Sequence, residues 1–257
     1  MPISFSKIIQ VTHQDDFHAI DHMVMKSAFE IHNEIGRLLD EKVYQRTLLH
    51  RLTSRGLQCE LESEIRITHK EFQKSYFIDL IVDGVLFETK TTAQLKPQHE
   101  AQLLNYLLLT NTQHGKLINF RPNSVQSRFV STTLRSSDRA KFKITAEDSA
   151  IAEVLHDLLS DLGTHLAINL YSDALRQLLD SELREISLSD AKKFIGVQAM
   201  PMLTNTEALI VIAIAQAQGI ASYKKHLTRF LTIADLKSFN WINFNNRTIT
   251  QSVLLRK

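Results

Sequence analysis

SYFIDLIVDGVLFETKT, residues 75–91, contains two β-rich runs separated by Asp83-Gly84. An Asp-Gly pair between such runs is typical of a two-residue hairpin loop. Counting outward from that loop along both strands places Asp79 opposite Glu88. The sequence therefore predicts a hairpin in which two carboxylates face each other on one side.

Lys90 points to the same side as Glu88, because side chains on a strand alternate with a period of two. Opposed like charges, with Cβ atoms about 5 Å apart, are unfavourable unless a cation lies between them. A divalent ion such as Mg²⁺ or Mn²⁺ suits the site, since Mg²⁺ binds one or two carboxylates and keeps positions for water and phosphate. A lysine beside such an ion can orient or deprotonate a water, or offset charge on a phosphate. The alternative is an ordinary hairpin with charged residues on a solvated face.

Two helices are predicted around this hairpin. One begins at Pro97 and continues to about Thr110, and it presents Gln102 and Tyr106 on one side at the i, i+4 spacing. These side chains can hydrogen-bond a phosphate or hold the lysine, or they form a polar flank of a packed helix. An earlier helix, over about residues 41–55, offers Glu41 as a third carboxylate, or as a solvated first-turn acid.

The chain resembles the PD-(D/E)XK nuclease superfamily in the order of its motifs, which are a helix glutamate, two strand acids, a lysine and a Gln-x-x-x-Tyr element. The last element is similar to that of its RecB-like branch. The segments IHNEIGRLLDEKVY (31–44), HEAQLLNYL (99–107) and KLINF (116–120) are similar to the bacterial GxxExxY proteins. Glu41 and Tyr44 match that motif, whereas Leu38 stands where a glycine is expected. The resemblance covers about residues 18–134.

The resemblance implies an α/β fold with a restriction-endonuclease-like core, in which helices flank a mixed sheet. It implies a metal-dependent nuclease site. The catalytic and supporting residues would be Asp79, Glu88, Lys90, Gln102, Tyr106 and Glu41. The metal ligands would be Asp79, Glu88, the carbonyl of Thr89, and Glu41. Within this set Lys90 would be the catalytic lysine and Glu41 an auxiliary acid.

The second half of the chain contains a faint copy of the first. Residues 30–48 align with 157–175 at an offset of 127, and residues 99–120 align with 223–244 at an offset of 124. Two similar offsets in the same order favour duplication and divergence over chance similarity of two amphipathic segments. We therefore expect a nuclease-like domain over residues 1–140 and a degenerate repeat without an active site over residues 141–257.

The active-site residues are absent from the second copy. At the offset of 124, the positions of the two acids and the lysine fall on Leu203, Ile212 and Ile214. The apolar run Ala208–Ala217 contains no acid and suggests a buried strand. One active site favours nicking, single-strand cleavage or end processing. The second lobe would act as a built-in pseudo-dimer partner, or it would only stabilise the fold. The protein would be either a monomer of this kind or a homodimer.

The composition excludes several other classes of protein. The chain has 257 residues and a net charge of +2, and residues 1–140 and 141–257 each carry a net charge of +1, so neither half is a basic module. Cys59 is the only cysteine, which excludes an intrachain disulfide and a thiolate metal cluster. We expect a cytoplasmic protein without a secretory signal or a membrane span. No glycine-rich phosphate loop is present, so motor activity would come from a protein partner such as a helicase.

The sequence thus predicts a metal-dependent nuclease that hydrolyses phosphodiester bonds of nucleic acid, with DNA ahead of RNA as substrate. The leading alternative is a non-catalytic module that keeps the fold and binds nucleic acid or protein. A toxin or defence component is a third possibility. The two opposed acids with a lysine favour the enzyme, and the nearly neutral charge favours the binding module.

Overall fold

The structure, a computed structural model, describes residues 2–5 and 14–256. The chain divides into two compact units. The first consists of Met1–Ile67 and Lys74–Ser136, and the second of Thr68–Gln73 and Ser137–Lys257. Each unit contains a mixed sheet of six strands in the described part of the chain.

The first sheet has the strand order β1-β2-β3-β4-β5-β6, in which β4 and β5 are parallel while the pairs β3–β4 and β5–β6 are antiparallel. Its elements are β1 (Ile3–Phe5), α1 (Gln14–Ile35), α2 (Glu41–Ser54), β2 (Cys59–His69), β3 (Phe72–Val82), β4 (Val85–Lys90), α3 (Pro97–Thr110), β5 (His114–Asn119) and β6 (Gln126–Ser131). The helix predicted from Pro97 to about Thr110 is confirmed. The helix predicted for residues 41–55 ends one residue earlier.

The predicted hairpin is confirmed, because Val82 pairs with Val85 across a two-residue loop. Both loop residues have positive φ, +44° at Asp83 and +84° at Gly84. This backbone matches the right-handed twist of the flanking strands, which explains why Asp-Gly is favoured there. The Asp83 Oδ1 also accepts a hydrogen bond of 2.8 Å from the backbone of Gln58, which fixes the loop against the start of β2.

The two faces of the first sheet pack against different helices. Phe87 and Ile118 belong to a core cluster with residues of α1 and α2. Since side chains alternate, Glu88 points to the other face, where Gln102 of α3 contacts it. Helix α3 approaches β5 closely at Gly115, where an added Cβ would lie 3.2 Å from leucine side chains of α3. The hairpin therefore presents its acids towards α3.

The second sheet has the strand order β7-β12-β11-β10-β9-β8, with β10 and β11 parallel. Its elements are α4 (Ser136–Arg139), β7 (Lys143–Ala146), α5 (Ser149–Leu162), α6 (Ile168–Leu178), β8 (Glu182–Asp190), β9 (Lys193–Met202), β10 (Glu207–Ile212), α7 (Ala217–Ile233), β11 (Ser238–Asn245) and β12 (Thr248–Leu255). The strand expected within Ala208–Ala217 is therefore Glu207–Ile212. Only Ala208 and Leu209 in it are buried.

From α1 and α5 onwards, the two units share one order of elements: two helices, three strands, a helix and two strands. The parallel pair occupies the same place in both, β4–β5 in the first and β10–β11 in the second. The additional strand differs, because β1 pairs with β2 whereas β7 pairs with β12. The units thus agree in topology except at the strand that extends each sheet.

Tyr44 joins the end of α1 to the sheet in the first unit. Its hydroxyl donates to the carbonyl of Gly36 at 2.8 Å and accepts from the backbone N–H of Leu39 at 3.3 Å. Its ring stacks on Phe120, with centroids 4.4 Å apart. A fully buried tyrosine needs a partner for its hydroxyl, and this turn supplies one.

Tyr171 makes the same contacts in the second unit. Its hydroxyl donates to the carbonyl of Gly163 at 2.7 Å and accepts from the N–H of Leu166 at 3.2 Å. Its ring stacks on Phe244 at a centroid distance of 4.5 Å. The aligned sequence segments therefore fold into the same local structure.

A buried asparagine at the end of a strand is also common to both units. The side-chain amide of Asn119 bonds the backbone N–H and the carbonyl of Thr92, at 3.1 and 2.8 Å. Asn243 bonds the same two groups of Ile214, at 2.8 and 3.0 Å. In each unit the asparagine thus fixes the segment that follows the third of the shared strands, which is β4 in the first unit and β10 in the second.

Candidate active site

The structure brings the six predicted site residues of the first unit together. Asp79 lies on β3, and Glu88 and Lys90 lie on β4. The Nζ atom of Lys90 is 2.7 Å from the Oε1 of Glu88 and 3.6 Å from the Oδ2 of Asp79. It is also 4.0 Å from the Oε1 of Glu41, the first residue of α2. The ammonium group thus lies among three carboxylates.

Helix α3 holds Glu88 from the other side. The Nε2 of Gln102 donates to the Oε1 of Glu88 at 2.6 Å. It also donates to the hydroxyl of Tyr106 at 3.0 Å. Their i, i+4 spacing on the helix is what aligns the two side chains. Gln102 therefore orients the buried acid, and Tyr106 supports Gln102.

Thr89 positions Asp79 through two hydrogen bonds. The N–H and the Oγ1 of Thr89 both donate to the Oδ2 of Asp79, at 2.9 and 3.1 Å. The Oγ1 in turn accepts from the Nε2 of Gln45 on α2, at 2.9 Å. The sequence interpretation missed Gln45, although it follows Glu41 by four residues on the same helix and so shares its face. Glu41 itself accepts from the N–H of Thr91 at 3.1 Å.

Burial and the neighbouring acids shift the protonation equilibria of this cluster. Burial, with repulsion from Asp79, raises the pKa of Glu88 to about 8. Burial raises the pKa of Glu41 too. Burial by itself would lower the pKa of Lys90, but attraction to Glu88 and the other acids outweighs it and raises that pKa. Burial, with the charge of Glu88, raises the pKa of Tyr106 to about 12. The negative charge of the three carboxylates thus exceeds the positive charge of Lys90.

The donors present fit a divalent cation. Glu88 is fully buried, and its Oε2 has no hydrogen-bond partner among the residues that the structure describes. An oxygen left in this way is costly unless a cation or a water reaches it. Asp79 and Glu88 match the one or two carboxylates with which proteins usually hold Mg²⁺.

Glu41 reaches the cluster from the first turn of α2. In residues 2–5 and 14–256, no group of three or more His, Cys, Asp or Glu side chains is arranged to hold a metal. Lys90 lies between Glu41 and the two strand acids. The Glu41 carboxylate contacts Lys90 and the N–H of Thr91. Its place among the metal ligands stays a prediction.

His99, which also lies on α3, caps that helix. Its Nδ1 accepts a hydrogen bond of 3.1 Å from the backbone N–H of Lys96. The backbone N–H of His99 in turn donates to the carbonyl of Lys96 at 3.0 Å, so the two residues close the turn around Pro97. His99 therefore stabilises the first turn of α3.

Apolar residues occupy the corresponding positions of the second unit. Lys90 pairs with Asn119 across parallel strands, and Ile212 pairs in the same way with Asn243. Two residues earlier, Ile210 therefore takes the place of the buried acid. The offset of 124, which placed these positions on Ile212 and Ile214, is wrong by two residues, because the connection between β10 and β11 is longer.

The same argument locates the counterpart of Asp79. Ile81 pairs with Leu86 in the first unit, and Met202 pairs with Ala208 in the second. Counting back two residues along β9 from Met202 gives Met200. The second unit thus has methionine and isoleucine where the first has two acids and a lysine.

Part of the chain matches a known protein family. Residues 18–130, which contain all six site residues, match the family model of the PD-(D/E)XK nuclease superfamily. The match supports this superfamily for the matched segment, and the two mixed sheets with their helices are consistent with such an α/β fold. The superfamily generally comprises metal-dependent nucleases. No curated protein matches the chain. None of the helices described here is long and apolar enough to cross a membrane.

Proposed function

We propose that this protein is a divalent-metal-dependent nuclease with one active site, in the first unit, and with DNA ahead of RNA as substrate. The observation that carries the proposal is the convergence of Asp79, Glu88 and Lys90, together with a buried Oε2 of Glu88 that has no hydrogen-bond partner among the residues the structure describes. A bound Mg²⁺ or Mn²⁺ would act as a Lewis acid on the phosphate and lower the pKa of a bound water.

The ion would be held by Asp79, Glu88 and the carbonyl of Thr89, with Glu41 as an auxiliary ligand. Gln102 fixes the orientation of Glu88, and Gln45 fixes that of Asp79 through Thr89. These contacts keep both acids in place before substrate arrives, which is what a preorganised site requires.

Lys90 is assigned to charge stabilisation and to the orientation of the attacking water. Its raised pKa keeps the ammonium group protonated in the metal-free site, which argues against a role as general base. A protonated lysine beside the scissile phosphate offsets the negative charge that develops there. Glu41 serves as an auxiliary acid that holds Lys90, and Tyr106 supports Gln102.

The second unit is proposed to be a degenerate copy of the first, with domains over residues 1–140 and 141–257. The shared order of elements and the repeated tyrosine and asparagine contacts support this proposal. Chance similarity would not repeat the hydrogen-bond partners of buried side chains. The copy would act as a built-in pseudo-dimer partner. We also propose that the protein belongs to the GxxExxY group, is located in the cytoplasm and acts with a helicase partner.

The test compares wild type with Asp79→Ala on labelled single-stranded DNA, double-stranded DNA and RNA, with Mg²⁺, Mn²⁺ or EDTA. We expect cleavage that requires the metal and is lost in a folded Asp79→Ala protein. Asp16→Ala, which removes an acid of α1 remote in sequence from the hairpin, is the matched control and should cleave normally. Binding without cleavage by the wild type would favour the non-catalytic module instead.

A further inference from the structure

The second unit has an open cavity of about 320 Å³ at the positions that correspond to the active site of the first. Met200, Ile210 and Ile212, which take the places of the two acids and the lysine, all line it. The pairing between β9 and β10 that the structure shows is limited to Met202 and Ala208, so the strands part beside these residues. These positions of the second unit thus carry no charged side chain and open into a cavity.

Aromatic side chains form much of the remaining wall. Tyr223 and Phe230 of α7 and Phe239 of β11 line the cavity. The ring of Tyr223 lies 5.8 Å from Trp241, whose buried Nε1 has no hydrogen-bond partner among the described residues. The volume falls within the range of about 300–1,000 Å³ that is usual for ligand sites, which are largely apolar with a few polar groups. Flat rings around an apolar cavity favour a planar ligand.

Two cations flank this aromatic face. On α7, Lys224 follows Tyr223 and Arg229 precedes Phe230. Because a helix turns about 100° per residue, one cation lies on each side of the face that lines the cavity. Both side chains are exposed, and neither forms an ion pair with another described residue. The ligand should therefore combine a planar apolar group with negative charge on its outer side.

We propose that this cavity binds an unpaired nucleobase of a single-stranded nucleic acid, with the adjacent phosphates held by Lys224 and Arg229. The inference rests on the nuclease function proposed above, and it specifies the strand form of the substrate. Aromatic stacking beside a basic surface is the usual means of binding single strands without sequence preference. In a duplex the base faces are already stacked, so a duplex has no free base to insert.

The first experiment measures binding of a fluorescently labelled single-stranded DNA oligonucleotide by anisotropy in EDTA, so that no cleavage occurs. Tyr223→Ala should weaken binding by about 5- to 150-fold, the range of one lost stacking contact. Tyr223→Phe keeps the ring and should bind like wild type. Phe194→Ala removes an exposed aromatic of the same unit that lies outside the cavity lining, and it should have no effect.

A second variant tests the cavity volume directly. Ile210→Trp fills the space with apolar bulk and should weaken single-strand binding without lowering the melting temperature. Unlabelled duplex should compete poorly with the labelled single strand. The proposal is overturned if wild type does not bind single strands, if Tyr223→Ala and Ile210→Trp bind like wild type, or if duplex competes equally well.

These results separate the two proposals. Binding through the cavity by a protein that never cleaves would overturn the nuclease function and leave the base-binding cavity standing. Metal-dependent cleavage combined with unchanged binding by Tyr223→Ala would overturn only the cavity. Loss of both activities in Asp79→Ala, with an altered melting profile, would show that this variant is misfolded, and the comparison would then rest on the Tyr223 variants.

Discussion

Glu88 shows how one residue depends on its surroundings. It is fully buried beside Asp79 and Lys90, and among the described residues only its Oε1 forms hydrogen bonds, with Lys90 and Gln102. A carboxyl group in such a place retains its proton more strongly than in the unfolded chain. The protonation of this residue should therefore be visible in the stability of the metal-free protein.

We predict that the metal-free protein loses stability as the pH rises from 4.5 towards 8. The folded pKa of Glu88, about 8, lies above its ordinary value of 4.5, so the contribution is full below 4.5 and is lost as pH rises through the folded pKa. Glu88→Gln should flatten this part of the profile. Urea unfolding in EDTA at several pH values measures it, with Glu100→Gln as the control acid. Equal slopes in wild type and Glu88→Gln would refute the prediction.

Lys90 should affect metal binding and turnover in opposite directions. Lys90→Ala removes a positive charge from among three carboxylates, so Mn²⁺ should bind more tightly, as measured by calorimetry. Cleavage should fall by about 100- to 1,000-fold, the usual effect of losing one charge-stabilising group. Lys42→Ala, which removes a lysine of the same unit that pairs with Glu62, should change neither quantity. Weaker metal binding by Lys90→Ala would contradict our assignment.

At the scale of elements, the two units use the same turn after their first helix. Gly36 and Gly163 each have positive φ, +76° and +70°, and each carbonyl accepts the hydroxyl of a buried tyrosine. Their surroundings differ. A Cβ at Gly36 would meet nothing within 4 Å, whereas a Cβ at Gly163 would lie 2.9 Å from the Cβ of Arg139.

We predict that Gly163→Ala is more destabilising than Gly36→Ala. Both place an alanine at a positive φ, which costs about 1–3 kcal/mol, and Gly163, with φ 70° and ψ −170°, lies in a region that essentially only glycine adopts. Gly163→Ala must also displace the backbone of Arg139, and such overpacking adds about 1–3 kcal/mol. Denaturant unfolding measures the difference. Gly196→Ala, which adds a Cβ in open space at an ordinary φ, is the control. An equal loss at Gly36 and Gly163 would show that the segment around Arg139 adjusts freely.

At the scale of the whole molecule, the charged cluster occurs in one unit only. In the described chain, the second unit has Met200, Ile210 and Ile212 at the corresponding positions, so it lacks acids to hold a cation and a lysine to stabilise a phosphate. If the proposed site in the first unit is the one that cleaves, each chain breaks one strand in each encounter. The products of a plasmid substrate should reveal this.

We therefore predict that supercoiled plasmid is converted first to open circles and only later to linear molecules, if the nuclease acts on double-stranded DNA. Gel electrophoresis over time measures the products, and sedimentation of the same sample establishes the oligomeric state. Lys90→Ala should accumulate neither product. Linear molecules that form from a monomer without an open-circle intermediate would rule out a single site.

The sequence by itself determined the local features. Asp83-Gly84 specified the hairpin loop, because both residues tolerate positive φ and the flanking runs favour strands. Pro97 marked the start of α3, since it lacks an N–H that the helix terminus would leave unpaired. The acids, the lysine and the Gln-x-x-x-Tyr element followed from strand alternation and helix spacing, which depend only on nearby residues.

The tertiary structure decided what depends on distance and burial. It placed Lys90 among the acids and left Glu41 bound to Lys90, and it brought Gln45 to Thr89, forty-four residues along the chain. It also corrected the alignment of the two units, because strand pairing counts residues that a gap-free comparison cannot place. The cavity of the second unit arises where two strands part, and that separation depends on packing by residues distant in sequence.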